Sequence, residues 1–308
     1  MNEVMNVTSV LLGGFVEVEK YRYVCFLIML AVYILIICCN SIVVYLIVIH
    51  RNLHEPMYIF IAALLINSIL FSTNIYPKLL VDFLSEKQTI VHPACIFQAV
   101  TYYVLTYSEF LLLSAMAYDR YISICKPLQY AAIMRKTTVT VTLVTAWFVP
   151  ACEVTGAIAL NFDLNFCGFT LKGFFCNNSI YKLMCVRTEA LSIYGAVILL
   201  NLGLLPMLFI IFSYSQILMI SFQSCKEVRT KAARTCLPHL IVLINFSISV
   251  TFDVIIVRLE SDISRTAHLI MTLQVILYHP LFNPLMYGLK MKDIYKHLQS
   301  LFCQVESH

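Results

Sequence analysis

Between Tyr23 and Ile49 the chain reads YVCFLIMLAVYILIICCNSIVVYLIVI, 27 residues without a charged side chain. About 20 apolar residues, each adding about 1.5 Å of helix, cross the roughly 30 Å hydrocarbon core of a bilayer. This stretch is long enough to span as one helix. Met57 to Pro77, Ala190 to Cys225 and Thr266 to Leu289 are equally free of charge, and Ala94 to Tyr118, Thr137 to Phe162 and Thr235 to Val257 hold one acid each: Glu109, Glu153 and Asp253. Seven such stretches predict an all-α, integral membrane bundle of seven transmembrane helices.

Composition agrees. Hydrophobic residues form 60% of the 308-residue chain and charged residues 12%, where soluble domains carry about a quarter charged. The connections are too short for an independent core, so residues 1–308 are read as a single membrane domain. The first 22 residues show no basic segment leading into a short apolar one, so no cleavable signal peptide is expected; the first span is expected to direct its own insertion. Of the 21 basic residues, 12 fall on one side of the spans (Arg51, Arg120, Lys126 and Lys226 among them) and nine on the other. The more basic side is expected in the cytoplasm, which puts residues 1–22 outside and the tail, 290–308, inside. Asn6-Val7-Thr8 is a glycosylation sequon on the outer side, as is Asn177-Asn178-Ser179; Asn245-Phe246-Ser247 lies within a span, out of reach of the transferase.

Most of the 12 cysteines lie in spans or on the inner side, where thiols act as small apolar groups. Cys95 opens the third span on the outer side, and Cys167, Cys176 and Cys185 share the long outer loop between spans four and five. Two disulfides are expected from these four, and three connectivities are open. A bridge from Cys95 would pin the loop across the mouth of the bundle.

The third span ends in Met116-Ala117-Tyr118-Asp119-Arg120-Tyr121-Ile122-Ser123-Ile124-Cys125-Lys126-Pro127-Leu128. An arginine at a helix end can pair with its acidic neighbour or turn to a partner; the plainer role is interfacial snorkelling. Asn283-Pro284, with Pro280 one turn earlier, puts helix-breaking residues in the seventh span, where freed carbonyls need a buried Asn or water. The Asp-Arg-Tyr segment resembles that of rhodopsin-like G-protein-coupled receptors, in the extended form of vertebrate odorant receptors. Leu53-His54-Glu55-Pro56-Met57-Tyr58, Ser213-Tyr214 with Ile217, Lys231-Ala232 with Thr235-Cys236 and His239, and Pro280-Leu281-Phe282-Asn283-Pro284-Leu285-Met286-Tyr287 resemble further motifs of that family, in its order. The wording of span two and the following loop resembles fish receptors and implies water-borne odorants.

The resemblance implies a switch made of Asp119, Arg120, Tyr121, Tyr214, His239, Asn283, Pro284 and Tyr287, with Arg120 released on activation to meet a G protein. Along span three, Tyr103, Thr106 and Phe110 form a stripe at helical spacing, flanked by Tyr102 and Tyr107. Such a stripe often serves helix packing alone. The resemblance makes it the wall of an odorant pocket, opposite Ile198, Leu199 and Leu202 in span five and Thr251 and Val254 in span six. No aspartate in outer span three offers an amine counter-ion.

A buried acid costs about 2.5 kcal/mol or more unless paired. In relatives the acid matching Glu109 joins an aspartate of span two around a sodium ion; here that segment reads Asn67-Ser68, which leaves either a weak sodium site or a protonated or hydrogen-bonded Glu109. Glu153 and Asp253 are expected to reach water or a loop arginine such as Arg258. Phe246-Ser247-Ile248 replaces the family's Phe-Tyr-Gly, and Cys39-Asn40 its Gly-Asn.

A transporter or channel is the main rival class, but no half of the chain repeats. An enzyme is not expected, since His54-Glu55-Pro56-Met57-Tyr58 is not a zinc-binding His-Glu-x-x-His and no paired intramembrane aspartates occur. The resemblance therefore implies an odorant receptor of the plasma membrane, in olfactory sensory neuron cilia. Its expected partners are a small-molecule odorant, a stimulatory olfactory-type G protein raising cAMP, and membrane lipid; neither a cofactor nor nucleic acid is expected. Lys226, Arg229, Lys231 and Arg234, with Arg135 and Lys136, would rim the cytoplasmic cleft or serve as orientation signals. Cys303 is a candidate palmitoylation site.

Overall fold

A computed structural model describes residues 9–17, 19–159, 167–177, 180, 183, 185, 189–222, 237, 240–248, 250 and 272–306. Asn6, His239, Thr251, Asp253, Val254, Arg258 and the basic residues 226–234 lie outside the described residues. So do Asn178 and Ser179 of the second sequon. Five described helices are long and apolar enough to cross a membrane. They are α1 (Arg22–Ile49), α2 (Pro56–Leu84), α3 (His92–Cys125), α5 (Lys136–Ala159), and a continuous run made of α6 (Glu189–Ile198), a π-helical segment (Leu199–Leu204) and α7 (Leu205–Phe222). Short α4 (Tyr130–Ile133) lies between α3 and α5. Residues 240–248 are helical, and a second π segment (Gln274–Tyr278) leads into α8 (His279–Lys290) and α9 (Lys292–Glu306).

Proline sets several of these boundaries. Pro56 opens α2 and Pro93 the first turn of α3, where a missing N–H costs nothing. Within the seventh span each proline strands the carbonyl four residues earlier, and a neighbouring helix meets that need. Pro280 strands the Ile276 carbonyl, which accepts the Tyr76 hydroxyl of α2 at 3.1 Å. Pro284 strands the Pro280 carbonyl, which accepts Asn40 Nδ2 of α1 at 3.0 Å. Both donors are fully buried, so the broken helix leaves neither carbonyl bare.

The bundle core divides into two apolar clusters. One, around Leu64, Leu112, Met116, Ile217 and Tyr287, fills the half nearer Arg120. The other, around Tyr76, Tyr102, Phe83, Phe174 and Cys176, fills the disulfide half. There the structure adds something that the reading of spans did not contain: a three-stranded sheet, with β1 (Ser9–Leu12) paired antiparallel to β2 (Thr89–Val91) and parallel to β3 (Thr170–Leu171). Val10 and Leu12 point inward and Ser9 and Leu11 outward, a strand's period of two. Gly14 donates to the Gly173 carbonyl at 3.1 Å, and a Cβ there would meet the Gly173 backbone at 2.8 Å. Only glycine allows the first segment to lie so close to the loop before α6.

Candidate functional site

Asp119 and Arg120 sit in the closing turns of α3. Arg120 donates through Nε and Nη2 to Asp119 Oδ2 at 3.0 and 2.5 Å, and the Tyr130 hydroxyl of α4 donates to Asp119 Oδ1 at 2.7 Å. Asp119 has no exposed side-chain surface and Arg120 keeps 16%. Both oxygens of this buried carboxylate therefore have donors, which offsets the cost of burying it. Burial, and then the hydrogen bond to Asp119, push the Tyr130 hydroxyl above the ordinary tyrosine range, so it stays a donor at neutral pH. Tyr130, eleven residues beyond Asp119 and outside any periodic segment, could not be picked out beforehand. Tyr121 is half-buried and lies 6.0 Å beneath the Lys126 ammonium. Tyr214 and Tyr287 are buried in the same cluster as Met116 and Ile122 of α3.

Midway along the bundle, Asn67, Ser68, Glu109 and Asn283 meet with at most 1% exposure each. Asn283 Nδ2 donates to Glu109 Oε1 at 2.9 Å and to Ser68 Oγ at 3.0 Å. Asn67 Nδ2 donates to the Leu105 carbonyl at 3.0 Å and, more weakly, to Glu109 Oε2 at 3.4 Å. Trp147 Nε1 donates to Asn67 Oδ1 at 3.1 Å. Four spans are joined here: α2, α3, α5 and α8. Trp147 had escaped the sequence reading, although it is the chain's lone tryptophan and an indole N–H inside a span needs an acceptor.

Of the candidate ligand residues, Tyr102, Thr106, Tyr107, Ile198 and Leu202 are buried, and Tyr103 and Leu199 half-buried. The structure divides them between the two clusters. Tyr107, Ile198 and Leu202 join Phe110 and Phe246 in the cluster nearer Arg120, with the Phe110 and Phe246 rings 4.7 Å apart. Tyr102 belongs to the disulfide half, 5.3 Å from Phe71 and 5.4 Å from Phe175. Tyr103 touches both, 5.0 Å from Tyr102 and 6.2 Å from Tyr107. The Thr106 hydroxyl donates to the Tyr102 carbonyl at 2.8 Å, which leaves its oxygen as an acceptor.

A roof closes the disulfide half. Disulfides join Cys95 to Cys176 and Cys167 to Cys185. Gln98 and Asn74 exchange side-chain amide to backbone carbonyl bonds at 3.0 Å, and Gln98 Oε1 accepts the Cys176 backbone N–H at 2.9 Å. Phe15, from the segment after β1, packs edge-on against Phe83 and Phe174 at 5.2 and 5.0 Å. Glu153 is half-buried beside Asn201 of the π segment before α7, and Arg258, the arginine it was expected to reach, lies outside the described residues. An apolar groove of about 400 Å³ along Leu273, Leu277, Leu281 and Leu285 is walled by none of the candidate ligand residues. It lies open along its length, unlike an enclosed small-molecule site.

Comparison with known proteins identifies the lineage. Residues 29–305 match the family model described as olfactory receptor. Human olfactory receptor 10AG1 is 34% identical over 296 residues, covering 95% of this chain and 97% of that protein. Human olfactory receptor 10J4 is 33% identical, covering 94% of each chain. Mouse olfactory receptor 4B13 is 30% identical, covering 98% of each. The crystal structure of squid rhodopsin superposes with a TM-score of 0.72 at 17% identity, over 93% of this chain and 87% of that one, a likeness of fold alone. The motif at Arg120, the seven apolar spans and these full-length matches agree: the chain belongs to the olfactory receptor family, rhodopsin-like, multi-pass membrane receptors that are not enzymes.

Proposed function

We propose that this receptor binds a small, mostly apolar odorant between α3 and the α6–α7 span and signals through a stimulatory olfactory-type G protein that raises cAMP. It acts in the plasma membrane of olfactory sensory neuron cilia, with residues 1–22 outside and 290–308 in the cytoplasm. The observation that carries the signalling half is the clasp on Arg120: a charged side chain at a helix end, held by Asp119 and, through it, by Tyr130. Opening that clasp frees a guanidinium for the C-terminal helix of a G protein α subunit. Leu128, fully exposed in the turn that follows α3, supplies an apolar contact beside it. Agonist draws spans five to seven toward the arrangement in which the clasp is open, a shift of populations rather than a new fold.

Tyr103, Thr106, Tyr107, Ile198, Leu199 and Leu202 form the binding wall in this reading, with Thr251 and Val254 contributed by span six and Tyr102 at its roof end. Dispersion against aromatic and aliphatic side chains supplies most of the affinity. Thr106 accepts one hydrogen bond, which favours a ligand with a donor such as an alcohol. The test is a panel of small molecules applied to cells expressing the chain with an olfactory G protein and a cAMP reporter. An active compound should lose potency by tenfold or more with Tyr103→Ala or Thr106→Ala, taking about 1.4 kcal/mol per lost contact. Dose-response curves identical to wild type for both variants would place the ligand elsewhere, and ion current without G protein would favour a channel.

A further inference from the structure

The family resemblance implies a sodium ion between a span-two aspartate and the acid at Glu109, and the residues present here do not fit one. A hard cation needs oxygen lone pairs turned toward it, preferably from more than one carboxylate. In this chain the second carboxylate is replaced by Ser68, and the remaining groups face Glu109 with N–H donors. We infer that the cluster is a cation-independent latch: the amides of Asn283 and Asn67, rather than sodium, satisfy the Glu109 carboxyl group and tie span three to spans seven and two.

Three details fix the direction of those donors. Trp147 Nε1 can only donate, and it does so to Asn67 Oδ1 at 3.1 Å, so Asn67 must present its NH₂ to Leu105 and Glu109. Asn283 Nδ2 lies 2.9 Å from a carboxyl oxygen and 3.0 Å from Ser68 Oγ; Ser68 Oγ donates to the Leu64 carbonyl at 3.2 Å and is left to accept from Asn283. Asn283 Oδ1 is buried without a hydrogen-bond partner among the described residues. Turning the amide over to offer that oxygen to a cation would break both bonds and set it against Glu109 Oε1. The orphan oxygen is therefore the by-product of the amide's orientation toward Glu109, not one ligand of a cation cage.

The latch stands whatever the odorant or G protein proves to be, because its test reads the receptor's own stability. Full-length receptor is purified and its melting temperature measured in sodium chloride and in N-methyl-D-glucamine chloride at equal ionic strength. Wild type should melt at the same temperature in both. Ser68→Asp, which restores a second carboxylate, should gain a sodium-dependent rise that Glu109→Gln abolishes. Asn67→Ala, which removes one donor, should melt lower by the same amount in either salt. A wild-type melting temperature raised selectively by sodium overturns the inference. So does an Asn67→Ala deficit that sodium alone repairs, or a Ser68→Asp receptor as indifferent to sodium as wild type.

Discussion

Asp119 shows how much of the arrangement around Arg120 one side chain carries. It accepts from Arg120 on one oxygen and from Tyr130 on the other, so the arginine's confinement depends on a tyrosine outside every recognised motif. A hydrogen bond to a charged group contributes about 1.5 kcal/mol or more. Tyr130→Phe should therefore favour the open clasp by roughly tenfold and raise agonist-independent cAMP, at unchanged surface expression. Basal signal equal to wild type would mean that Tyr130 does not restrain Arg120. Asp119 and Arg120 were legible through the Asp-Arg-Tyr segment that closes span three; Tyr130 was not, since nothing in a loop's sequence says which hydroxyl folds back. Asn67 is a similar case. Its place in a span was plain, but that its amide would serve both Trp147 and Glu109 depends on how α2, α3 and α5 face one another.

The broken seventh span belongs to the scale of elements. Its prolines were legible as kinks, whereas the donors that repair them, Tyr76 and Asn40, come from spans far away in sequence. Tyr76→Phe leaves the Ile276 carbonyl buried and unpaired, which costs about 1–3 kcal/mol. Its melting temperature should fall by several degrees, and an unchanged one would show that another donor takes over. The π segments were likewise invisible: Leu199–Leu204 precedes Pro206 and Gln274–Tyr278 precedes Pro280, where a missing N–H disturbs the ladder. At the other end of the span, α9 docks on the α1–α2 turn. Tyr58 donates to Asp293 at 2.6 Å, Asn52 lies 3.1 Å from His297 Nε2, and the His50 and His297 rings stack at 3.8 Å. Desolvation, then His50 and Lys296, hold His297 below the usual histidine value of 6.5, against a smaller opposing pull from Asp293. A group whose native pKa is lowered binds fewer protons folded than unfolded, so docking should weaken as pH falls through about 6.5. Hydrogen exchange across residues 292–306 should quicken at pH 5.5 relative to 7.5. His297→Phe keeps the stacking and should remove that difference; its persistence would locate the pH response elsewhere.

At the scale of the whole molecule, seven apolar stretches and motifs in family order made the bundle legible, because lipid forces every backbone polar group into helices long enough to span. The roof at the disulfide end was legible only in part. Its four cysteines stood out, but their pairing and the strand Ser9–Leu12 did not, since four residues carry too short an alternation to be read and their partners are distant loops. The two halves of the core are packed differently: the disulfide half holds the roof over Tyr102, and the other carries the residues proposed to bind ligand and those around Arg120. That division makes Arg120→Ala the most direct probe of the account. Wild type and variant, each carrying an epitope tag at the N-terminus, are compared on unpermeabilised cells for surface staining and for cAMP evoked by an active odorant. The account predicts equal staining with the cAMP response lost in the variant. A wild-type response from Arg120→Ala, or a tag reached only after permeabilisation, would contradict it.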